Sequence, residues 1–387
     1  MTPAKTLALC LAMTSAMMTP TMLHAQANPF FDLMQKAAAH AREHHALTPA
    51  LSPNDATILN GQVPVAELQK AGIQVVPWTT NDPEKMRAVI RTGVDGLISD
   101  RPDLLQKAVA DERASSPEAA ARLKHFDVQG HRGGRGLHPE NTLPAFEGGL
   151  DNLISTIETD TGVTKDHVSM IWHDQFLNPQ SCRKADGSAY TLANRVYHND
   201  ITMHEAQSTF ICDKLHSAQF PDQKNDLSLS PVAVAFAAKE KLISPYVPTY
   251  VEQLFRFTAF YAEYYKTGAG KAHPQAAARA ANAARVHFNL ETKILPEDLP
   301  PPPAGSPMAK IPADLLANHT FGPQIFVDTL CGAIAKHHME ARADVQSFDF
   351  RTLILVEEQF PKILTFYLTE GQETLSSALI PDSLRQK

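Results

Sequence analysis

The chain has 387 residues, of which 43% are hydrophobic and 20% are charged. This composition can bury a large core and excludes an intrinsically disordered protein. The formal net charge is -7 and no basic stripe runs through the sequence, which argues against nucleic acid as the main partner and favours a small-molecule site.

Residues 1–27 have the features of a secretory signal peptide. A single cation, Lys5, precedes an apolar stretch over residues 7–18, and the small-x-small sequence Ala-Gln-Ala at 25–27 predicts cleavage before Asn28. This stretch is shorter than the roughly 20 residues of a spanning helix, so no integral membrane segment is expected in the mature chain. An amphipathic N-terminal helix is the alternative, which the lack of acidic residues disfavours. We therefore expect an exported protein, periplasmic or secreted.

Eight short β-rich runs alternate with longer helical stretches along the rest of the chain. They cover residues 73–79, 95–100, 127–133, 155–161, 168–174, 286–293, 344–348 and 362–369. Strands separated by helices pair in parallel through crossovers, and eight such units predict an α/β fold, a closed (β/α)8 barrel of the TIM type. An open doubly wound sheet stays the alternative.

Two long insertions interrupt this alternation, at residues 175–285 and at the proline-rich residues 296–312. Both fall where βα loops are expected, at the end of a barrel that carries function. Cys182 and Cys212 lie 30 residues apart in the first insertion. We predict a disulfide between them because an exported chain enters an oxidising compartment. Cys331, on an apolar helical stretch, is expected to remain a buried thiol.

Acidic side chains concentrate at the ends of two predicted strands. Residues i and i+2 of a strand share a face, so Glu158 points with Asp160, and Glu291 points with Asn289 and Lys293. Three carboxylates and a lysine inside a barrel require compensation, which a bound cation supplies. Carboxylates suit a hard divalent ion, Ca2+ or Mg2+, and export favours Ca2+. The lack of nearby thiolates and of a His-Glu-x-x-His motif argues against zinc.

Two histidines and two cations also lie at the ends of predicted strands. His131 and His173 can move protons near neutral pH, while Arg132 offers a planar fork and Lys293 a point charge to a phosphate. Each residue alone is more often structural, but a metal, two histidines and two cations together indicate a phosphodiester site. Trp78 ends another strand, where it either stacks on the substrate or packs in the barrel.

Other polar residues are interpreted as structural. Asn141 and Thr142 precede an apolar helix and are expected to cap it. The tandem pairs His44-His45 and His337-His338 are interpreted as surface residues rather than metal ligands.

Several spaced motifs together resemble the glycerophosphodiester phosphodiesterase family. The motifs that carry the resemblance are Gly130-His131-Arg132-Gly133, Pro139-Glu140-Asn141-Thr142, Glu158-Thr159-Asp160, Thr164-Lys165-Asp166, His173-Asp174, Phe288-Asn289-Leu290-Glu291-Thr292-Lys293 and Gln346-Ser347-Phe348-Asp349. The resemblance implies three sets of site residues: the metal ligands Glu158, Asp160 and Glu291, the acid–base pair His131 and His173, and the phosphate ligands Arg132 and Lys293.

The motifs that come last in this family's sequences are out of place in this chain. A Trp-Thr-x-Asn strand followed by Gly-Val-Asp-Gly and Ser/Thr-Asp-x-Pro is missing after residue 370, but residues 76–82 and 93–102 match it near the N-terminus. The sequence therefore resembles a circularly permuted single barrel, in which residues 28–112 supply the last two family strands and residues 127–387 the first six. The alternative is a truncated tandem duplication, whose open remainder would expose two sheet edges.

The function that this resemblance implies is metal-dependent hydrolysis of glycerophosphodiesters to glycerol 3-phosphate and an alcohol. A phospholipase D or phosphoinositide phospholipase C type of activity on intact lipids is one alternative, which an exposed apolar lip on the 175–285 insertion would favour. A non-catalytic binding protein on a decayed barrel is the other, and the paired histidines and carboxylates argue against it.

Overall fold

A computed structural model describes residues 28–296 and 318–385 of the chain. The predicted signal peptide and nearly all of the proline-rich insertion, from residue 297 onward, lie outside the described residues. The predicted mature start, Asn28, is the N-cap of the first helix, where its side chain accepts hydrogen bonds from the backbone N–H groups of Phe30 and Phe31. The described fold thus begins with a capped helix.

Helices form the outer layer of the described structure, and many begin with a proline in the first turn, where no backbone hydrogen-bond donor is needed. The α-helices are α1 (Pro29–Glu43), α2 (Asp55–Leu59), α3 (Val65–Lys70), α4 (Pro83–Arg91), α5 (Pro102–Arg113), α6 (Pro117–Arg122), α7 (Leu143–Asp151), α8 (Met203–Thr209), α9 (Pro231–Glu240), α10 (Val251–Lys266), α11 (Ala276–Ala283), α12 (Pro323–Lys336) and α13 (Phe350–Gln359).

The strands form one large sheet and one small one. The strands are β1 (Ala50–Pro53), β2 (Gly96–Ser99), β3 (Asp127–Gly130), β4 (Thr156–Val163), β5 (Ser169–Ile171), β6 (Arg183–Lys184), β7 (Phe210–Ile211), β8 (Thr249–Tyr250), β9 (His287–Thr292), β10 (Ala343–Ser347) and β11 (Thr365–Thr369). The large sheet runs in the order β1-β11-β10-β9-β4-β3-β2 with parallel pairing throughout.

Residues 74–80, called the closing segment below, join the two ends of this sheet. On one side Val76 donates its backbone N–H to the carbonyl oxygen of Leu51 in β1, at 2.9 Å. On the other side Ile98 of β2 donates to the carbonyl oxygen of Pro77, at 3.0 Å. The seven strands and the closing segment therefore make a closed barrel of eight parallel segments. The predicted (β/α)8 fold is confirmed.

The composition of the barrel differs from the prediction in one strand. The predicted strand at residues 168–174 is β5, which pairs antiparallel with β4 and β8 and lies outside the barrel. The link between β4 and β5 is far shorter than the dozen or more residues of a parallel crossover. The missing barrel strand is β1, which the sequence pattern did not predict because its four residues end in a proline and show no alternation.

Residues 28–112 therefore supply three barrel segments, β1, the closing segment and β2, where two were predicted. The remaining five strands come from residues 127–369, where six were predicted. The chain enters and leaves the barrel between neighbours, since β1 pairs with β11 from Ala50↔Phe366 to Pro53↔Thr369. The N-terminal region thus completes the barrel, while its origin by circular permutation stays a prediction.

The two faces of the barrel wall have different chemistry. Side chains that point outward, such as Leu97, Val128 and Leu290, are buried in one large apolar core beneath the helices. Inside, Ala50, Val76, Ile98 and Phe366 form a small apolar cluster on one side of the barrel. The other side of the interior, lined by β3, β4, β9 and β10, carries buried polar side chains. This polar half marks the position of the site.

The 175–285 insertion divides into two parts. Its first part contains α8 and the two-stranded β6–β7 sheet. Together with Trp172, which precedes the insertion, it forms a small separate core that includes Phe210. The predicted disulfide joins Cys182 to Cys212 in this core, and Cys331 is a buried thiol in α12. Its second part, α9 to α11, packs in the outer helical layer. Among the described helices, none is long and apolar enough to cross a membrane.

Candidate active site

The site lies at the carboxyl ends of β3, β4, β9 and β10. Glu158 and Asp160 share a face of β4, and the register of the parallel pair places Asp160 opposite Glu291 of β9. All three side chains are buried, and each offers a carboxylate oxygen within 4.8 Å of the others. The alternation of side chains along each strand, together with the register between β4 and β9, brings the three acids together.

Two cations partly balance the three acids. The ammonium Nζ of Lys293 lies 2.6 Å from Glu291 Oε1 and 3.4 Å from Asp160 Oδ1. The guanidinium Nε of Arg132 lies 3.1 Å from Asp160 Oδ2, and its second arm donates to Glu140 at 2.9 Å. Arg132 has a left-handed backbone with φ 51°, which also directs its backbone N–H to Glu158 Oε2 at 3.0 Å.

An amide network fixes the remaining oxygen of Glu158. Gln346 of β10 donates to Glu158 Oε1 at 2.6 Å. Asn289 of β9 donates in turn to the side-chain oxygens of Gln346, at 3.1 Å, and of Gln129 in β3, at 2.9 Å. The network crosses the barrel interior from β3 to β10, so the position of Glu158 depends on the register of four strands.

Asn141 and Thr142 divide their roles. Thr142 caps α7, where its hydroxyl oxygen accepts from the backbone N–H of Ala145. Asn141 turns away from the helix and donates to Asp160 Oδ2 at 2.9 Å, while its own oxygen accepts from the Thr159 hydroxyl at 2.6 Å. The expected cap is therefore Thr142 alone, and Asn141 belongs to the site.

A carboxylate orients His131. Asp100, at the end of β2, lies 2.5 Å from His131 Nδ1, and Arg135 donates to the same Asp100 oxygen at 2.8 Å. The opposite ring nitrogen, Nε2, lies 3.8 Å from Glu158 Oε2. Burial lowers the pKa of His131 to about 4 despite the adjacent Asp100. For Asp100, burial opposes ionisation, but His131 and Arg135 outweigh it and hold its pKa well below the usual value.

His173 has a carboxylate partner of its own. Its Nδ1 lies 2.8 Å from Asp174 Oδ1, and Asn178 donates to the other oxygen of Asp174 at 2.7 Å. Burial works against ionisation of Asp174, yet its hydrogen bond to His173 lowers its pKa to about 2. Asp174 is therefore a carboxylate at neutral pH, and His173 is held with Nδ1 on its partner and Nε2 directed elsewhere.

Trp78 reaches the site through one aromatic contact. Its ring packs edge to face on Phe348 with 5.5 Å between centroids, and Lys293 Nζ lies 5.9 Å from the Phe348 ring. Its indole N–H donates to the backbone carbonyl of Ser52 at 3.0 Å. Trp78 is half-buried in the apolar cluster of the barrel interior. The barrel-packing interpretation is therefore satisfied, and contact with a substrate stays a prediction.

The electrostatics of the three acids are unequal. Burial, followed by the charges of Asp160 and Glu291, raises the pKa of Glu158 well above its usual range. Burial also raises the pKa of Glu291. Burial opposes ionisation of Asp160 as well, but Arg132 and Lys293 overcome it and hold the pKa of Asp160 well below its usual range. The cluster therefore holds more carboxylates than the two cations neutralise.

The structure brings together most of the predicted site residues and adds others. Seven predicted residues lie in this connected polar cluster or at its edge: His131, His173, Arg132, Lys293, Glu158, Asp160 and Glu291. Sequence reasoning missed Asp100, Arg135, Glu140, Asn141 and Gln346. Asp100, Glu140, Asn141 and Gln346 stand inside the quoted motifs, which was the available signal, whereas nothing local marked Arg135.

Comparison with known protein families establishes the family to which the chain belongs. The sequence model described as "Glycerophosphoryl diester phosphodiesterase family" matches residues 5–104 and 131–263, more than half of the chain. The chain belongs to the glycerophosphoryl diester phosphodiesterase family. This membership agrees with the barrel and with the resemblance drawn from the motifs.

Individual relatives are more distant. A 48-residue stretch, 12% of this chain, is 46% identical to Uncharacterized protein YqiK of Bacillus subtilis (strain 168) and spans 20% of that protein's length. A Silicibacter pomeroyi protein named for glycerophosphoryl diester phosphodiesterase activity is 22% identical, with a TM-score of 0.43 over 67% of this chain and 68% of its own. An Oleispira antarctica phosphodiesterase, solved with the product sn-glycerol-3-phosphate, is 14% identical with a TM-score of 0.35, over 62% of this chain and 65% of its own.

The charge balance of the site predicts the effect of removing Arg132. In metal-free protein, Arg132→Gln leaves the buried Asp160 with Lys293 alone and Glu140 with Arg135 alone, so the free energy of unfolding should fall by about 3 kcal/mol. The matched control is Arg183→Gln, which breaks a more exposed pair with Asp213 and should cost less than about 1 kcal/mol. Urea unfolding measures both. Equal losses for the two variants would contradict the structural role assigned to Arg132.

Proposed function

We propose that this protein hydrolyses glycerophosphodiesters to glycerol 3-phosphate and an alcohol, using one divalent cation, Ca2+ or Mg2+. The observation that carries the proposal is the cluster of Glu158, Asp160 and Glu291, whose carboxylate oxygens converge within 4.8 Å. Two histidines, each oriented by its own carboxylate, flank this cluster. Family membership supports the same activity.

The donor set fits a hard cation. Three carboxylates provide the oxygen ligands that Ca2+ and Mg2+ prefer, and waters or the substrate complete the coordination. Asp160 Oδ1 is buried and accepts no hydrogen bond within the described residues, so this oxygen retains a free lone pair for a metal. Burial raises the pKa values of Glu158 and Glu291, and a bound cation would compensate the negative charge of both carboxylates. When bound, the cation would polarise a phosphoryl oxygen.

Arg132 and Lys293 would bind the phosphate. Each is held in place by acids of the site, Arg132 by Glu140 and Lys293 by Glu291. A guanidinium has five donors and an ammonium has three, so both side chains retain N–H groups for phosphoryl oxygens. Their charges stabilise the negative charge that grows on these oxygens as the nucleophile attacks. Trp78, which packs against Phe348, would contact the glycerol or the headgroup.

The two histidines would move the protons. A water or a glycerol hydroxyl forms the new P–O bond as the ester P–O bond breaks, and its proton passes to one histidine. The other histidine gives a proton to the departing alkoxide. Asp100 and Asp174 each hold a histidine Nδ1, which leaves Nε2 of both rings for the reaction. If the glycerol hydroxyl attacks first, water opens the cyclic phosphate in a second step with the roles reversed.

The metal assignment predicts that Glu158→Gln weakens both metal binding and turnover. One ligand and one negative charge are lost, so the affinity for Ca2+ or Mg2+ should fall at least about tenfold. Titration of chelator-stripped protein by calorimetry, with coupled detection of glycerol 3-phosphate, measures both quantities. Glu252→Gln, in a surface ion pair with Lys336, is the control and should match the wild type. Full turnover of Glu158→Gln after chelation, without added divalent ions, would show that the assignment is wrong.

The proton-transfer assignment predicts a loss of about 10²-fold or more for His131→Ala and for His173→Ala on the natural diester. The nitrophenolate of a nitrophenyl diester leaves without a proton donor. This substrate should therefore restore the turnover of whichever variant lacks the general acid. Steady-state rates on both substrates identify the acid and the base. Metal affinity and circular dichroism serve as controls for the fold. Near wild-type rates for both variants on the natural diester would refute this mechanism.

Action on intact lipids is the second candidate. The exposed large hydrophobic side chains of the described residues concentrate in the 175–285 insertion, with five of seven there: Leu192, Leu215, Leu229, Val234 and Ile243. Exposed apolar side chains of this kind contact lipid surfaces when they are contiguous. Phospholipid vesicles form a further arm of the substrate panel, and release of headgroup from vesicles alone would favour this candidate.

We also propose that the protein is exported. The small-x-small sequence before Asn28 and the Cys182–Cys212 disulfide support this location, because structural disulfides are typical of oxidising compartments. Protein purified from the periplasm or the medium of an expressing bacterium should begin at Asn28, as N-terminal sequencing would show. Retention of the mature fold in the cytoplasm with residues 1–27 still attached would contradict export.

A further inference from the structure

We propose a second metal site, specific for Zn2+ and related borderline cations, formed by His40, His44 and Glu358. His40 lies in the last turn of α1, His44, interpreted from the sequence as a surface residue, is the C-cap of that helix, and Glu358 lies near the end of α13. Each residue offers a ligand atom, and the three atoms lie within 4.8 Å of one another. The site shares no residue with the acidic cluster of the barrel and is independent of the proposed function.

The distance between His40 and Glu358 suits a tetrahedral ion. His40 Nε2 and Glu358 Oε1 lie 3.4 Å apart. Two ligands at about 2.0–2.1 Å from a tetrahedral Zn2+ are about 3.3 Å apart. The rings of His40 and His44, four residues apart at the C-terminal end of α1, have centroids 4.6 Å apart. A water fills the fourth position in such three-ligand sites.

A buried carboxylate prepares His40 for this role. Glu357 Oε2 lies 2.8 Å from His40 Nδ1, and the Glu357 side chain is fully buried. The hydroxyl groups of Thr365 and Tyr367 donate to Glu357 Oε1 at 2.8 and 2.9 Å. With Nδ1 on Glu357, the other ring nitrogen, Nε2, faces Glu358 Oε1 at 3.4 Å, and in the neutral ring its lone pair is available to a metal. Metal-binding histidines generally have such a carboxylate partner, which fixes the tautomer and raises the ligand's basicity.

The donor set separates this site from the acidic cluster. Imidazole nitrogens favour Zn2+, Cu2+ and Ni2+ over Ca2+ and Mg2+, which prefer oxygen. The side chains of His40 and Glu358 are 18% and 36% exposed, so an ion from solution has access. The site therefore takes a different class of cation from the one proposed in the barrel.

The position indicates a structural role. The site bridges α1, which precedes the barrel, and α13, which precedes β11. Glu357 contacts Thr365 and Tyr367 of β11, and Thr365 is the first residue of that strand. The site is thus near the amino ends of the strands, opposite the acidic cluster, where residues of a barrel contribute to stability. An ion there would fasten the N-terminal helix to the barrel.

The test uses full-length mature protein in the Glu158→Gln background, which weakens metal binding in the barrel. Titration with Co2+ should give the intense visible bands of tetrahedral coordination. One equivalent of Zn2+ per chain should displace the Co2+ and abolish these bands. His44→Ala should abolish the bands and lower Zn2+ affinity at least about tenfold. His338→Ala, which removes an exposed histidine at the end of α12, is the matched control and should bind like its parent.

Thermal unfolding gives a second readout. A free Zn2+ concentration about a hundred times its dissociation constant should raise Tm by roughly 3 °C in the parent and in His338→Ala. The same concentration should not raise Tm in His44→Ala. Glu358→Gln, on the other helix, repeats the test if His44→Ala fails to fold. With phosphodiester turnover measured in the wild-type background, His44→Ala should leave the rate unchanged. Tetrahedral Co2+ bands or a Zn2+-dependent rise in Tm that survive in both ligand variants would overturn the proposal, as would their absence from the parent.

Discussion

Three buried carboxylates at one end of the barrel determine much of the surrounding structure. An ion that leaves water loses several kcal/mol of solvation unless charges and hydrogen bonds replace it. Arg132 and Lys293 supply the charges for Asp160 and Glu291, while Gln346 supplies a hydrogen bond to Glu158. These partners come from different strands and loops. The polar half of the barrel interior is therefore a single unit, in which each acid is tolerated because of its neighbours.

The same requirement connects the N-terminal region to the site. Asp100 ends β2 and orients His131 at the end of β3, because parallel neighbours have their carboxyl ends at the same edge. Trp78, in the closing segment, contacts Phe348 after β10. The N-terminal region thus closes the sheet and provides a partner for a proposed catalytic histidine. Closure of the barrel and completion of the site thus depend on the same N-terminal region.

The two ends of the barrel have different tasks. At the carboxyl end, acids and cations lie close together and carry strongly shifted pKa values, which is common at functional sites. At the amino end, the Glu357 carboxylate ties His40 of α1 to Thr365 and Tyr367 of β11. That contact fastens the first described helix to the wall of the barrel. A cation at His40, His44 and Glu358 would add to a connection that the side chains already make.

The sequence by itself determined the alternation of strands and helices, and with it the barrel, the pairing of Glu158 with Asp160 and the family. These features depend on local periodicity and on motifs, both of which can be seen in a few consecutive residues. Only the tertiary structure decided that β1 belongs to the barrel and β5 does not, because a short strand is defined by its partner. It also decided that Gln346 reaches Glu158 across 188 residues of chain. Such contacts follow from strand register, which local sequence does not encode.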